Sequence, residues 1–333
     1  MRSLPLVCLL GLTVGSTAVL VLSVQPAAIA KGQESPQDQT IRVGVPLVNL
    51  YATVLDKHKA LVANLDQKDF RVYEDNVEQK VTFFSREKTL PLRLGLLIDT
   101  SGSEANTLGF EQQAASQFLQ HVLQEGDTAF VIAFDSDVDF LADWTNDVGA
   151  LQRTIRQAKI EIGGDSHLPP GEPKPARALH PYAGGGTRLY DAVALECRLK
   201  MTSAAGRKAL VILTDARDEG SRMNLKQAIE AAQRTDTRIQ ILLVYNLKAG
   251  PDFEAAKQLA EETGGRAIDA YDENHLQKAF DDISEQLHNE YSLGYYPTNT
   301  KLDGKYRSLK IEMTNKDYKP LTREGYFARA AGN

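Results

Sequence analysis

Cysteine is scarce in this chain, which has two cysteines, Cys8 and Cys197, among 333 residues. Cys8 lies in an apolar N-terminal stretch, so a chain that loses this stretch keeps one cysteine and has no internal disulfide bond. Such a protein depends on its apolar core for stability. Cys197 falls in an apolar stretch typical of a helix, and we expect it to be a small buried side chain.

Clusters of basic residues are also lacking. Lys and Arg together number 38 and Asp and Glu 44, which gives a formal net charge of -6. Proteins that bind nucleic acids concentrate positive charge on one surface. The charge balance therefore argues against nucleic acid as a partner.

The N-terminus has the pattern of an export signal. Arg2 precedes an apolar run at residues 4–24, and small residues follow at positions 28 and 30 in Ala28-Ile29-Ala30. This pattern predicts a signal peptide over residues 1–30 and a periplasmic or secreted protein. Residues 31–40 are polar and are expected to form a disordered lead-in. The alternative is an uncleaved membrane anchor, because about 20 apolar residues can span a bilayer.

The middle of the chain alternates between apolar runs and amphipathic stretches. The apolar runs predict core strands at residues 93–98, 128–134, 208–214, 238–245 and 266–268. Between them, apolar residues recur at three, four and seven positions, as they do in amphipathic helices. This order predicts an α/β fold with a doubly wound, mostly parallel, Rossmann-like sheet over residues 91–289. A short run at 138–141 is expected to pair antiparallel at one edge.

The two flanks of this unit, residues 41–90 and 290–333, show the apolar–polar alternation of half-buried strands. The loop at 297–304 is rich in turn residues and predicts a hairpin between strands at 291–295 and 309–313. Each flank is too small to fold alone. We therefore expect one small β-sandwich built from both flanks, with the α/β unit inserted between them.

Oxygen-bearing side chains occur at three places that are plausible strand ends. Asp99, Ser101 and Ser103 come directly after residues 93–98, Thr187 follows a glycine run, and Asp215 follows residues 208–214. In open α/β sheets, ligands bind at the carboxyl ends of the strands. Carboxylate and hydroxyl oxygens suit hard divalent cations, so the pattern predicts a site for Mg²⁺, or for Ca²⁺ or Mn²⁺.

A simpler interpretation is that Ser101 and Ser103 cap a helix beginning near Glu104. Capping does not explain why Thr187 and Asp215 follow other strands. We therefore favour the metal site.

These positions resemble the metal-ion-dependent adhesion site of the von Willebrand factor A family. That family carries an Asp-x-Ser-x-Ser motif, a threonine in a second loop and an aspartate after its fourth strand. Asp99, Ser101, Ser103, Thr187 and Asp215 fill these positions, while Ala216 stands where a glycine is often found. The resemblance implies a divalent cation whose vacant position is completed by an Asp or Glu carboxylate of a protein partner.

The flanks resemble a bacterial branch of that family, the VWFA-related acidobacterial domain proteins. The motifs that carry this resemblance are residues 69–76 (DFRVYEDN), 291–297 (YSLGYYP) and 323–327 (REGYF). They are less specific than the adhesion-site motif. They extend the resemblance to nearly all of the chain after the leader.

Other polar groups have simpler explanations. Asp135, Asp137 and Asp139 could form a second cation site, but a turn between strands explains them as well and is preferred. Asp191 is expected to fix its loop by a hydrogen bond. The proline-rich stretch at 163–183 is expected to overhang the site, either as a recognition loop or as a tolerated insertion. Its histidines have no third ligand at zinc spacing.

The sequence thus predicts a protein-binding module without enzymatic activity. One alternative is a hydrolase in which the ion activates water, although no histidine or glutamate stands at a suitable offset to be its base. A second is a scaffold whose ion only stiffens the loops. The sequence gives no prediction of the oligomeric state or of the partner.

Overall fold

The computed structural model describes residues 47–87, 90–102, 107–159, 186–245, 247 and 250–328. The predicted leader and lead-in, Ser103 and the stretch at 163–183 lie outside the described residues.

The described strands and helices are numbered in chain order. The strands are β1 (Val48–Leu55), β2 (Phe70–Glu74), β3 (Val77–Gln79), β4 (Val81–Glu87), β5 (Leu92–Asp99), β6 (Thr128–Phe134), β7 (Val138–Thr145), β8 (Arg207–Thr214), β9 (Thr237–Leu243), β10 (Ala267–Asp269), β11 (Glu290–Tyr295), β12 (Tyr306–Met313), β13 (Lys319–Leu321) and β14 (Gly325–Phe327). The helices are α1 (Leu108–Val122), α2 (Val148–Ile155), α3 (Leu189–Glu196), α4 (Leu225–Thr235), α5 (Phe253–Glu262) and α6 (Glu273–His288).

The central sheet has the strand order β10-β9-β8-β5-β6-β7. Neighbours from β10 to β6 pair in parallel, and β7 pairs antiparallel with β6 at one edge. The predicted α/β class and the antiparallel edge are confirmed. The edge strand is longer than expected, because its pairing continues to Thr145.

Helices cover both faces of this sheet. Helices α1, α2 and α6 pack on one face, and α3, α4 and α5 pack on the other. Successive residues of β8 alternate between the two cores: Val211 and Leu213 face the first, and Leu210 and Ile212 face the second. Burial on both faces explains why the strands are continuous apolar runs rather than alternating ones.

The flanking strands form two antiparallel sheets around a separate core. Their strand orders are β13-β1-β11-β4 and β14-β12-β2-β3. Each sheet combines strands from before and after the α/β unit, and the register places Val48 of β1 opposite Tyr295 of β11. This is the small β-sandwich with an inserted α/β unit that the sequence predicts.

The predicted hairpin between β11 and β12 is wrong. The two strands belong to different sheets: β11 pairs with β1 and β4, and β12 pairs with β2 and β14. Leu293 and Ile311 both point into the core between the sheets. Alternation of apolar residues reports that one face of a strand is buried, but not which strand lies beside it. The connecting loop crosses from one sheet to the other.

A hairpin forms instead between β2 and β3, a strand that the sequence did not predict. Its two turn residues, Asp75 and Asn76, have φ angles of 47° and 65°. Positive φ at both central positions is typical of the type I′ turn, and Asp and Asn tolerate it. Strand β3 was missed because it is short and largely exposed.

Candidate functional site

The candidate site lies where β5 and β8 end. These strands are parallel neighbours, with Ile98 opposite Leu213, so Asp99 at the end of β5 and Asp215 just after β8 reach the same edge of the sheet. Both side chains are buried, at 0% and 3% exposure. The pairing of the strands thus explains why residues far apart in the sequence come together.

Asp99 is held by short hydrogen bonds. Its Oδ2 accepts from the hydroxyl of Thr214 at 2.5 Å, and its Oδ1 accepts from the backbone N–H of Ser101 at 2.9 Å. Burial, with a smaller contribution from the charge of Asp215, raises the pKa of Asp99 to about 7 against the opposing effect of the hydrogen bonds from Ser101 and Thr214. The carboxylate is thus fixed in place beside a second negative charge.

Thr214 is a site residue to which the sequence analysis gave no role. Its hydroxyl donates to Asp99 and accepts the N–H of Ala216 at 3.0 Å. It connects the ends of the two strands that carry the predicted carboxylates. A threonine directly before Asp215 in the predicted strand was the available signal.

The backbone after β8 turns sharply. Ala216 is buried and has a φ of 61°, in the left-handed region that favours glycine. Asp215 Oδ1 accepts the N–H of Arg217 at 3.0 Å, and the carbonyl of Asp215 accepts the N–H of Asp252 at 2.9 Å. The turn conformation gives a physical reason why glycine often follows this aspartate in the family.

Thr187 is anchored to the same loop through its backbone. Its carbonyl accepts the N–H groups of Glu219 at 3.0 Å and Gly220 at 3.2 Å, and its side chain is buried. The next residue, Arg188, donates its N–H to the carbonyl of Asp135 at 2.9 Å. These contacts bring the Thr187 segment against the loop after β8 and the turn between β6 and β7.

Ser101 is half-buried and lies two residues after the end of β5. Helix α1 begins at Leu108 with Thr107 at its N-cap. Residues 103–106, where the alternative interpretation places the start of a helix, lie outside the described residues, so the capping interpretation stays a prediction. Ser103, the fifth predicted ligand, lies outside the described residues.

The remaining polar candidates have structural roles. Asp135 Oδ1 accepts the N–H of Asp137 at 2.8 Å, which is the turn expected between β6 and β7. Asp191 accepts the N–H groups of Arg222 and Met223, so it ties α3 to the loop before α4. Cys197 is buried in the second core, as expected, and burial raises the pKa of its thiol to about 12.

Residues 94–218 match the family model of the von Willebrand factor type A domain. This segment carries the central strands from β5 to β8 and the four predicted ligands that the structure describes. The chain contains a von Willebrand factor type A (VWA) domain. No curated protein matches the sequence.

The chain is similar to several solved structures. The conserved hypothetical protein BatB from Bacteroides thetaiotaomicron is similar at 15% identity over 59% of this chain and 98% of that chain, with a TM-score of 0.43. A von Willebrand factor type A protein from Catenulispora acidiphila is similar at 12% identity over 79% and 73%, with a TM-score of 0.48. The vWF domain of the type V pili tip protein Mfa5 from Porphyromonas gingivalis is similar at 14% identity over 60% and 95%, with a TM-score of 0.40.

In the part of the chain that the structure describes, no helix is both long enough and apolar enough to cross a membrane.

Proposed function

We propose that the VWA domain is a metal-ion-dependent protein-binding module of an exported bacterial protein. Asp99, Ser101, Ser103, Thr187 and Asp215 hold a divalent cation, which is Mg²⁺ or alternatively Ca²⁺ or Mn²⁺. The ion supplies a Lewis-acidic position that an Asp or Glu carboxylate of a protein partner completes. Residues 1–30 form the signal peptide that directs the protein to the periplasm or out of the cell.

One observation carries this proposal: two neighbouring carboxylates are buried at the end of the sheet. Asp99 and Asp215 are at most 3% exposed, and the charge of Asp215 acts on Asp99. Burying like charges together is costly unless an opposite charge accompanies them. A divalent cation offsets both charges, and the set of carboxylate and hydroxyl oxygens fits a hard cation.

The same set of donors favours an ion that keeps a coordination position for a partner over an ion that is coordinated entirely by this protein. Within the described ranges, no group of three or more His, Cys, Asp and Glu side chains could hold a metal ion. The proposed site therefore relies on two carboxylates and neutral hydroxyls. An ion with two carboxylates is close to neutral overall and retains affinity for one more anionic ligand.

Isothermal titration calorimetry with Mg²⁺ tests the ion. We expect the wild-type protein to bind and Asp99→Ala to lose binding, because the substitution removes one of the two charged ligands. Asp281→Ala is a matched control, since it removes an exposed aspartate on α6 and should leave the affinity unchanged. Thr187→Ala serves as a second site variant should Asp99→Ala fail to fold. Unchanged Mg²⁺ affinity in folded site variants would refute the metal site.

A pull-down from the native cell envelope tests the role of the ion. We expect partners captured with Mg²⁺ to be lost with EDTA and with Asp99→Ala. A second outcome is that partners are still captured in EDTA although EDTA lowers the melting temperature of the protein. That pair of results would assign the ion a purely structural role. Hydrolysis of a bound partner that requires the ion would favour the enzymatic alternative.

A further inference from the structure

A second polar site lies at the other end of the central sheet, where the parallel strands begin, and so opposite their carboxyl ends. A cavity of about 20 Å³ is lined there by residues from the starts of β5, β8, β9 and β11, together with Arg323 from the C-terminal segment. It lies where the α/β unit meets the β-sandwich. The REGYF motif at 323–327, which the proposed function leaves unexplained, thus contributes a residue to this cavity.

Positive charge dominates the lining of the cavity. Its cations are Arg207, Lys208, Arg238 and Arg323, and its anions are Asp236 and Glu290. Arg207, Arg238 and Glu290 are buried, at 4–7% exposure. A cluster with this excess of cations is costly to bury unless something in the cavity compensates it.

The two carboxylates are already engaged. Glu290 pairs with Arg238 and lies 3.6 Å from Nη1 of Arg207. Asp236 pairs with Nη1 of Arg323 at 2.6 Å. The ammonium of Lys208 is directed to the carbonyls of Met201 and Thr235, at 2.7 and 3.0 Å. These carbonyls are neutral and leave the charge of Lys208 in place, so the lining holds two more cations than anions.

Arg323 has donor capacity left at the cavity. Its Nη2 donates to the carbonyl of Asn49 at 2.8 Å, while its buried Nε has no hydrogen-bond partner within the described residues. Guanidinium groups only donate hydrogen bonds and stay charged at all accessible pH values. An occupant that only accepts hydrogen bonds and carries negative charge therefore fits this lining better than water, which must also donate.

The size of the cavity restricts the occupant further. A volume of about 20 Å³ admits a single occupant of about the size of a water molecule. We infer that this cavity binds a small monovalent anion, of which chloride is the probe, and that the anion joins Arg323 to the arginines of the central sheet.

Thermal unfolding with EDTA present tests the site without any contribution from the proposed divalent ion. At constant ionic strength, we expect replacement of gluconate by chloride to raise the melting temperature in proportion to the logarithm of the chloride concentration once this exceeds the dissociation constant, by about 5 °C at 100 times that constant. Arg323→Met should lose this rise. The matched control Arg153→Met removes an exposed arginine on α2 and should keep it.

Diffraction from wild-type crystals grown in bromide gives a readout that does not depend on a variant folding. We expect an anomalous peak inside the cavity, within contact distance of the Arg323 guanidinium. A melting temperature that is the same in chloride and in gluconate would overturn the inference. An equal rise in the melting temperature of Arg323→Met would indicate a general salt effect and would also overturn the inference. So would crystals that show no bromide peak in the cavity.

Discussion

The hydroxyl of Thr214 donates a 2.5 Å hydrogen bond to the buried carboxylate of Asp99. It also accepts the N–H of Ala216, so one side chain organises the ends of β5 and β8. Thr214→Val keeps the shape but leaves both groups without this partner. We expect a loss of about 2–3 kcal/mol in the free energy of unfolding, measured by urea denaturation in EDTA.

The same substitution should weaken the proposed Mg²⁺ binding about tenfold, because residues that orient a ligand affect metal affinity. Calorimetry measures this change. Thr214→Ser retains the hydroxyl and is the control for both measurements. Equal stability of the Val and Ser variants would show that the hydrogen bond contributes nothing.

Glu196 should make the stability of the protein fall as pH rises. It ends α3, its side chain is fully buried, and neither carboxylate oxygen has a hydrogen-bond partner among the described residues. Burial raises its pKa to about 8; Lys200 opposes this rise and Asp143 adds to it. Lys200 and Asp143 themselves pair at 2.6 Å.

The direction follows from proton uptake. Between about pH 4.5 and pH 8 the folded protein holds a proton on Glu196 that the unfolded chain releases, so stability declines as pH rises across this window. Relative to Glu196→Gln, the wild type should lose on the order of 4 kcal/mol from pH 5 to pH 8. Urea denaturation across this range measures the difference, and Glu285→Gln, at an exposed site on α6, should behave as wild type.

Two glycines should respond in opposite ways to alanine. A Cβ on Gly95 in β5 would lie 2.4 Å from Cζ of Phe130 and 2.5 Å from Cδ2 of Leu210, and Phe130 is itself packed edge-on against Trp144. Gly95→Ala should therefore destabilise the protein by about 1–3 kcal/mol.

Gly109 is the matched control, because it lies in the first turn of α1 and a Cβ there meets no atom within 4 Å in the described structure. Gly109→Ala should stabilise the protein by about 0.5–1 kcal/mol, since alanine favours the helix. Thermal unfolding of both variants checks the pair, and a tolerated Gly95→Ala would contradict the packing argument.

Glu74 links the three flanking motifs. Its Oε2 accepts the hydroxyl of Tyr295 at 2.8 Å and that of Tyr326 at 2.9 Å, and these residues belong to the motifs at 69–76, 291–297 and 323–327. Tyr295 lies on one sheet of the sandwich, while Glu74 and Tyr326 lie on the other. The resemblance to the acidobacterial branch stays a prediction, but this contact gives its motifs a shared structural role.

Tyr295→Phe should lower the free energy of unfolding by about 1–3 kcal/mol, because it removes a buried hydrogen bond to a carboxylate. The double variant with Tyr326→Phe should cost more than the sum of the single ones, because Glu74 Oε2 then loses both donors. Denaturant unfolding measures the cycle. Tyr296→Phe, at a half-exposed neighbour, is the control, and an additive cycle would argue against a shared acceptor.

The sequence predicts the α/β unit well because both faces of its strands are buried. Continuous apolar runs such as the one that becomes β8 are distinct from the amphipathic helices between them. The sandwich is predicted less well, since alternation marks a buried face without naming the neighbouring strand. The wrong hairpin between β11 and β12 and the missed strand β3 both have this origin.

For the candidate site, the sequence motifs predict where the carboxylates lie but not which groups hold them in position. The positions of Asp99 and Asp215 follow from the rule that parallel strands end at one edge. The hydroxyl of Thr214 and the backbone contacts of Thr187 depend on side-chain directions and loop paths that no local pattern encodes. Ser103 and the stretch at 163–183 remain predictions.

The pairing of β1 with β11 also sets an order of events during synthesis. β1, β4 and the β2–β3 hairpin leave the ribosome long before their partners β11 and β12 exist, while the inserted unit between them can already bury its own two cores. Until the last segment arrives, the early strands expose edges on which other chains can add. Ribosome-bound chains that stop before Glu290 should therefore be cut by protease within residues 48–87, while the α/β unit resists.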